Sequence, residues 1–175
     1  MVNKHIPVPE NLTDRPTYKG VPLPYVSPDQ RYEWEWETLR DRLLQEVFDF
    51  RGGDPAKVAD CYELRLCSLC GGGMGMTIAF LGGPISSESL CYTFPPMHED
   101  CAEYAAKVYP DLAKGVDPAF DPAHSTEPLT ECVMVLGTGY QPHHLFNPVI
   151  PDVIRVLGFT KRRVFKGGEE QGRLL

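Results

Sequence analysis

Apolar residues recur along this chain with several spacings, and each spacing predicts a different kind of element. Beginning near Trp36, the residues Leu39, Leu43, Leu44, Val47 and Phe48 fall three or four apart. That spacing predicts a helix with one apolar stripe, its other face carrying Arg40, Asp41, Arg42, Gln45 and Glu46. Gly52-Gly53 ends it. Asp54 as N-cap with Pro55 at the first helical position then predicts a second, short helix. Short apolar runs bounded by turn residues predict strands over 77–81 and 90–94, joined by a turn at Gly82-Gly83-Pro84. Pro95-Pro96 stops the second strand. Residues 97–108, with their alanines, Glu103, Tyr104 and Lys107, predict a helix bounded by Pro110. A strand is expected over 131–136 and a short helix over 151–157, capped by Gly158. Asp117-Pro118 and Asp121-Pro122 mark a loop between them. No segment repeats.

The first 28 residues lack such patterning. Pro7, Pro9, Pro16, Pro22, Pro24 and Pro28 fix φ repeatedly and remove backbone donors, so an extended arm is expected there. Val8, Val21, Leu23 and Val26 give that arm apolar groups to lay across a partner or its own domain. Trp34 and Trp36 alternate with glutamates and read as packing anchors, because little that is basic surrounds them. The organisation expected is an arm over 1–28, one α+β domain over 29–160, and a basic and polar tail over 161–175.

Composition narrows the setting. The chain of 175 residues is long enough to bury a core without disulfides, so its 6 cysteines need another explanation. The opening Met1-Val2-Asn3-Lys4-His5-Ile6-Pro7 has no apolar run of the signal-peptide kind, and no stretch approaches the roughly 20 apolar residues of a membrane helix. A cytoplasmic protein is expected, where clustered cysteines favour metal or reactive thiols over disulfides. The net charge of −7 argues against general affinity for nucleic acid, which rests on counterion release by Lys and Arg. Lys161-Arg162-Arg163 and Lys166 make the one dense basic patch, and Glu169-Glu170 follow it at once.

Two of the cysteines form Cys67-Ser68-Leu69-Cys70, followed by Gly71, and a third closes His98-Glu99-Asp100-Cys101. A Cys-x-x-Cys turn lets two thiolates converge on one ion, and Gly71 supplies the positive φ that often follows. His98 and Cys101, three apart at a helix start, share a face. The helix N-terminus also favours the Cys101 thiolate. A knuckle, a hairpin and then two ligands from a first helical turn is the layout of a treble-clef zinc finger. Cys67, Cys70, His98 and Cys101 are therefore the expected ligands of a structural Zn²⁺, with an α+β fold organised around it. The competing reading is a set of buried cysteines, which suits Cys61, Cys91 and Cys132. Cys61 in place of His98 gives a fallback site of four cysteines.

The run Leu69-Cys70-Gly71, then Ala79-Phe80-Leu81-Gly82-Gly83-Pro84, then Pro95-Pro96-Met97-His98-Glu99-Asp100-Cys101-Ala102-Glu103-Tyr104-Ala105-Ala106, resembles a group of small bacterial and phage proteins. Those proteins, of unknown function, share a CxxCG…GP…PPxHxxCAxYA pattern, and the proline-rich start of this chain is similar to theirs. The resemblance is clearest over 5–25 and 66–115 and brings no settled activity. Where similar proteins carry a cysteine before the proline that ends the helix, this chain has Tyr109. That position is then not an essential ligand.

Several enzyme classes fail on order or spacing. A zinc deaminase needs His-x-Glu ahead of Pro-Cys-x-x-Cys, and here the Cys-x-x-Cys comes first. A metalloprotease helix needs His-Glu-x-x-His, whereas His98-Glu99 is followed by Cys101. A treble-clef nuclease needs a histidine on the hairpin, and residues 76–94 hold none; His124, His143 and His144 lie downstream. Gly137-Thr138-Gly139 lacks the third glycine of a nucleotide fingerprint and reads as a turn. Four protein ligands close a zinc site, so the expectation is a non-catalytic binding module with a protein partner. The alternative is a metal-dependent nuclease or a nucleic-acid-binding protein.

Overall fold

The computed structural model describes residues 5–18, 20–27, 54–109, 131–144 and 153–172. The helix expected over 36–48, the two tryptophans, His124 and the Asp117–Pro122 loop lie outside the described residues. The architecture is mixed α+β with antiparallel sheets.

A 3-10 turn at Glu10–Leu12 is followed by β1 (Thr17–Tyr18) and β2 (Val21–Pro22), which pair as a small ribbon. Helix α1 (Pro55–Glu63) starts as its sequence predicts: the Asp54 carboxylate accepts from the amides of Ala56 and Lys57, and Pro55 takes the first position. Next come β3 (Ile78–Gly82), α2 (Pro84–Ser89), β4 (Cys91–Tyr92) and α3 (Glu99–Val108). The chain then adds β5 (Cys132–Gly137), β6 (Gly139–His143), β7 (Val153–Leu157), β8 (Lys161–Lys166) and β9 (Glu169–Gln171). One sheet has the order β3-β5-β8-β9 and a second β4-β7-β6.

The β3–β5 part of the four-stranded sheet is buried on both faces. Ala79 and Leu81 of β3, with Cys132, Met134 and Leu136 of β5, pack with α3 and the N-terminal arm. The alternate residues Ile78, Phe80, Val133 and Val135 pack against Tyr62, Tyr92, Ile154 and Val156 from α1 and the second sheet. Burial on both sides is why β3 and β5 read as continuous apolar runs rather than alternating ones.

Five expectations change. Residues 153–157 form a strand, not a helix: Ile154 and Val156 are buried and Arg155 and Leu157 exposed, a period of two set by β-branched residues. Gly158, at φ +58°, turns the chain between β7 and β8 instead of capping a helix. The basic run expected to begin a tail is β8, pairing with both β5 and β9, because Val164 and Phe165 are core residues and Arg163 finds three carboxylates. Gly82-Gly83-Pro84 leads into α2 rather than a tight turn, with Gly83 as N-cap and Pro84 at the first position. The returning strand is only Cys91–Tyr92 and pairs with β7, not β3. The chain still rejoins β3 further on, where Met97 and Ala79 exchange backbone hydrogen bonds of 2.9 and 2.8 Å.

The described residues of the proline-rich arm, a 3-10 turn and the β1–β2 ribbon among them, lie across their own domain. Leu12, Val21 and Val26 are core residues, and the buried Tyr109 hydroxyl donates to the Pro22 carbonyl at 2.8 Å.

Candidate metal centre

The Cys67–Cys70 turn is held shut by its own backbone. Cys67 N donates to Gly72 O and Gly71 N to Cys67 O, both at 2.8 Å, and Leu66 bridges to Gly73. Gly71 sits at φ +81°, a conformation that disfavours any side chain, and the Tyr25 ring fills the space a Cβ would need. Buried Ser68 ties this knuckle to the second ligand pair. Its amide donates to Pro96 O at 3.1 Å and its hydroxyl to Pro95 O at 3.2 Å. Met97, bonded to β3, then fixes the start of α3.

His98 is the N-cap of α3, with extended backbone at φ −63° and ψ 154°, so it precedes the first turn rather than lying in it. Cys101 is the third residue of the helix and fully buried. N-cap and third-position side chains approach each other across a helix start, as they do in a capping box. That geometry carries both ligands to one side.

The structure brings all four expected residues together. The donor atoms of Cys67, Cys70, His98 and Cys101 lie within 4.8 Å of one another. His98 Nδ1 is 3.3 Å from Cys70 Sγ and 4.0 Å from Cys101 Sγ. A tetrahedral Zn²⁺ with bonds of about 2.0–2.3 Å sets its donors roughly 3.3–3.8 Å apart, so the group fits that ion after small adjustments. Among the described residues no other such group forms. Cys61 does not join it: the side chain is buried in α1, and burial, with the nearby charge of Cys67, pushes its thiol up to about 12. Cys132 is buried in β5, and Cys91 is half-buried in β4. His143 is exposed at the end of β6, and His144 follows it, also exposed.

Each donor also has an outer partner. Gly72 N reaches Cys70 Sγ at 3.3 Å, His98 N reaches Cys67 Sγ at 3.4 Å, and Asn11 Nδ2 reaches Cys101 Sγ at 3.3 Å. His98 Nε2 lies 3.1 Å from Gly73 O. A carbonyl accepts only a proton, so this contact assigns Nε2–H to the ring and leaves the Nδ1 lone pair facing the sulfurs. Hydrogen bonding to Cys67 and then Cys70, followed by burial, raises Cys101. Burial also works to raise Cys67, but hydrogen bonds from Cys101, Cys70 and the His98 amide hold its thiol well below the usual value. A divalent cation bound here would replace thiol protons, so its affinity would rise with pH.

The sequence carried no sign of Asn11. It lies in a turn of the proline-rich arm, 90 residues from Cys101, and only a fold that lays the arm over α3 brings it close. The basic residues of β8 are likewise used internally. Arg163, 7% exposed, meets Glu170 at 2.7 Å, Glu103 at 2.8 Å and Glu99 at 3.4 Å. Lys161 and Lys166 pair with Glu99 and Glu131.

Comparison with protein-family models, with characterised proteins and with solved structures finds no match to this chain. No helix among the described residues is long and apolar enough to cross a membrane.

Proposed function

We propose that Cys67, Cys70, His98 and Cys101 hold one Zn²⁺ in a closed structural site, and that the protein works as a non-catalytic interaction module. The observation that carries this reading is the complete outer shell: one N–H donor for each sulfur and a carbonyl for the far nitrogen of His98. Thiolates need such donors when they bear charge, and coordinating histidines use such carbonyls to fix their tautomer. Four protein donors leave no position for a water that could act as a nucleophile.

The ligand placement is treble-clef-like in this reading. A knuckle supplies one pair, a helix start the other, and the Ala79–Met97 bridge stands where a hairpin would close. The resemblance to small bacterial and phage proteins supports the same ligand set. A protein partner in the cytoplasm is favoured over nucleic acid, because the chain carries a net charge of −7 and Lys161, Arg163 and Lys166 of the basic run are engaged in ion pairs.

Native mass spectrometry of freshly purified protein, with elemental analysis, tests the site. One zinc per chain is expected, kept by Cys61→Ser and lost in Cys67→Ser and Cys101→Ser. Wild-type protein without stoichiometric metal would overturn the proposal. Cobalt-substituted protein showing five-coordinate spectra, with a bound water, would move the reading toward an enzyme.

A further inference from the structure

We propose that residues 5–18 and 20–27 are a clasp of the metal centre, with Asn11 the positioning residue that supplies the last outer donor. The proposal rests on the metal reading above and adds a residue and a moving part to it. Two of the three sulfurs take their donor from nearby backbone: Cys70 from Gly72, and Cys67 from His98. Among the described residues Cys101 has no such backbone source. It sits inside the helix start, and its own amide is occupied by the Asp100 carboxylate at 2.8 Å. The donor has to come from another part of the chain, and the Asn11 amide provides it at 3.3 Å. Leu12, the next residue, is fully buried and holds the 3-10 turn in place.

The rest of the arm grips the same structure. Tyr25 N donates to Leu69 O at 2.8 Å and Val26 N to Ser68 O at 3.2 Å, both acceptors lying between the two knuckle cysteines. The Tyr25 ring covers Gly71. Pro22 O accepts from Tyr109, the residue that follows α3. Much of the surface that receives the arm is therefore backbone shaped by the ligand loops. An ion that orders those loops strengthens arm docking, and by reciprocity docking strengthens metal binding by the same factor. Outer-shell partners of metal ligands typically contribute about 10–100-fold in affinity, which sets the size of the effect.

The test compares Asn11→Ala and Asn11→Asp with wild type, because a donor and a space-filler respond in opposite order. Aspartate has nearly the same shape as asparagine but presents a charged acceptor to a thiolate. Zn²⁺ affinity is measured at neutral pH by competition with a chromophoric chelator, and the sulfur-to-metal charge-transfer band is recorded with Co²⁺. Hydrogen exchange at the amides of Tyr25 and Val26 is followed in zinc-loaded and chelator-treated wild type. Expected are affinity losses of about 10-fold for Asn11→Ala and nearer 100-fold for Asn11→Asp, a shifted Co²⁺ band in both, and arm exchange at least tenfold faster after chelation. An Asn11→Asp variant that binds as wild type or better than Asn11→Ala would reduce Asn11 to packing. Equal arm exchange with and without metal would remove the clasp. In either case a wild type holding one zinc leaves the metal reading intact, whereas wild type without metal overturns both.

Discussion

Replacing Gly71 by alanine probes the knuckle and the arm at once. The residue sits at φ +81°, where a Cβ costs about 1–2 kcal/mol in any protein. The added methyl would also lie 2.6 Å from Tyr25 Cδ2, 3.0 Å from Cγ and 3.2 Å from Cε2. Ordinary carbon contacts are about 3.5–4.0 Å, so the ring must retreat by nearly an ångström. Cγ lies next to the backbone, and the Tyr25 amide is bonded to Leu69 O, so the ring cannot simply swing aside. Such overpacking costs about 1–3 kcal/mol, for a total of about 2–5 kcal/mol. In a Tyr25→Ala background only the backbone part remains. Urea denaturation of zinc-saturated protein, over the four members of this cycle, should give a coupling of about 1–3 kcal/mol. A coupling below about 0.5 kcal/mol, the level of independent sites, would show that Tyr25 does not cover Gly71 and that the arm is wrongly placed.

Other consequences follow from the same contacts. Tyr109→Phe leaves the buried Pro22 carbonyl without its 2.8 Å partner and should cost about 1–2 kcal/mol in urea denaturation. Hydrogen bonding to Arg163 holds the carboxyls of Glu103 and Glu170 below the ordinary value of 4.5. Depressed carboxyl pKa values stabilise above the unfolded value, and that stability is lost as pH falls through the folded ones. The stability gap between wild type and Arg163→Met should therefore be full at pH 7 and narrow below pH 4.5, and a gap that widens on acidification would contradict the ion-pair network. Chelation should accelerate hydrogen exchange in residues 66–73 and the first turn of α3 while β5 and β8 stay protected; uniform loss of protection would mean that the sheet also depends on the metal.

The legible parts of this chain were those whose signal is local. Asp54-Pro55 announced α1, the apolar runs announced β3 and β5, and the two ligand pairs announced the cluster, because each rests on residues within a few positions. The failures were non-local. Val153–Leu157 has a strand pattern only when Arg155 and Leu157 are seen to face outward, which requires knowing that β4 and β6 flank it. Arg163 looked like surface charge because its partners Glu99 and Glu103 are 64 and 60 positions away, on a helix whose docking no local pattern reveals. Asn11 had no signal at all, being one amide in a proline-rich stretch.

The composition of α3 explains why a metal would be needed where these segments meet. Its buried face carries Ala102, Ala105 and Ala106, each fully buried. Small side chains let the helix approach β3 and β5 closely, but they remove little apolar area from water, and stabilisation scales with that area at about 25 cal/mol per Å². Tyr104 and Tyr109 anchor the C-terminal end, meeting edge to face with ring centres 6.3 Å apart. Arg163 anchors the outer side. At the N-terminal end the helix itself adds no large apolar side chain, Met97 just before it being the nearest, and there the structure places Cys101 and His98 opposite the knuckle. Zinc bound by four such side chains contributes about 10–16 kcal/mol to folding in small zinc domains. That exceeds anything three alanines supply. An ion bound there would take the place of a hydrophobic contact at one end of one helix, and the arm, which rests on the ligand loops, would share that dependence.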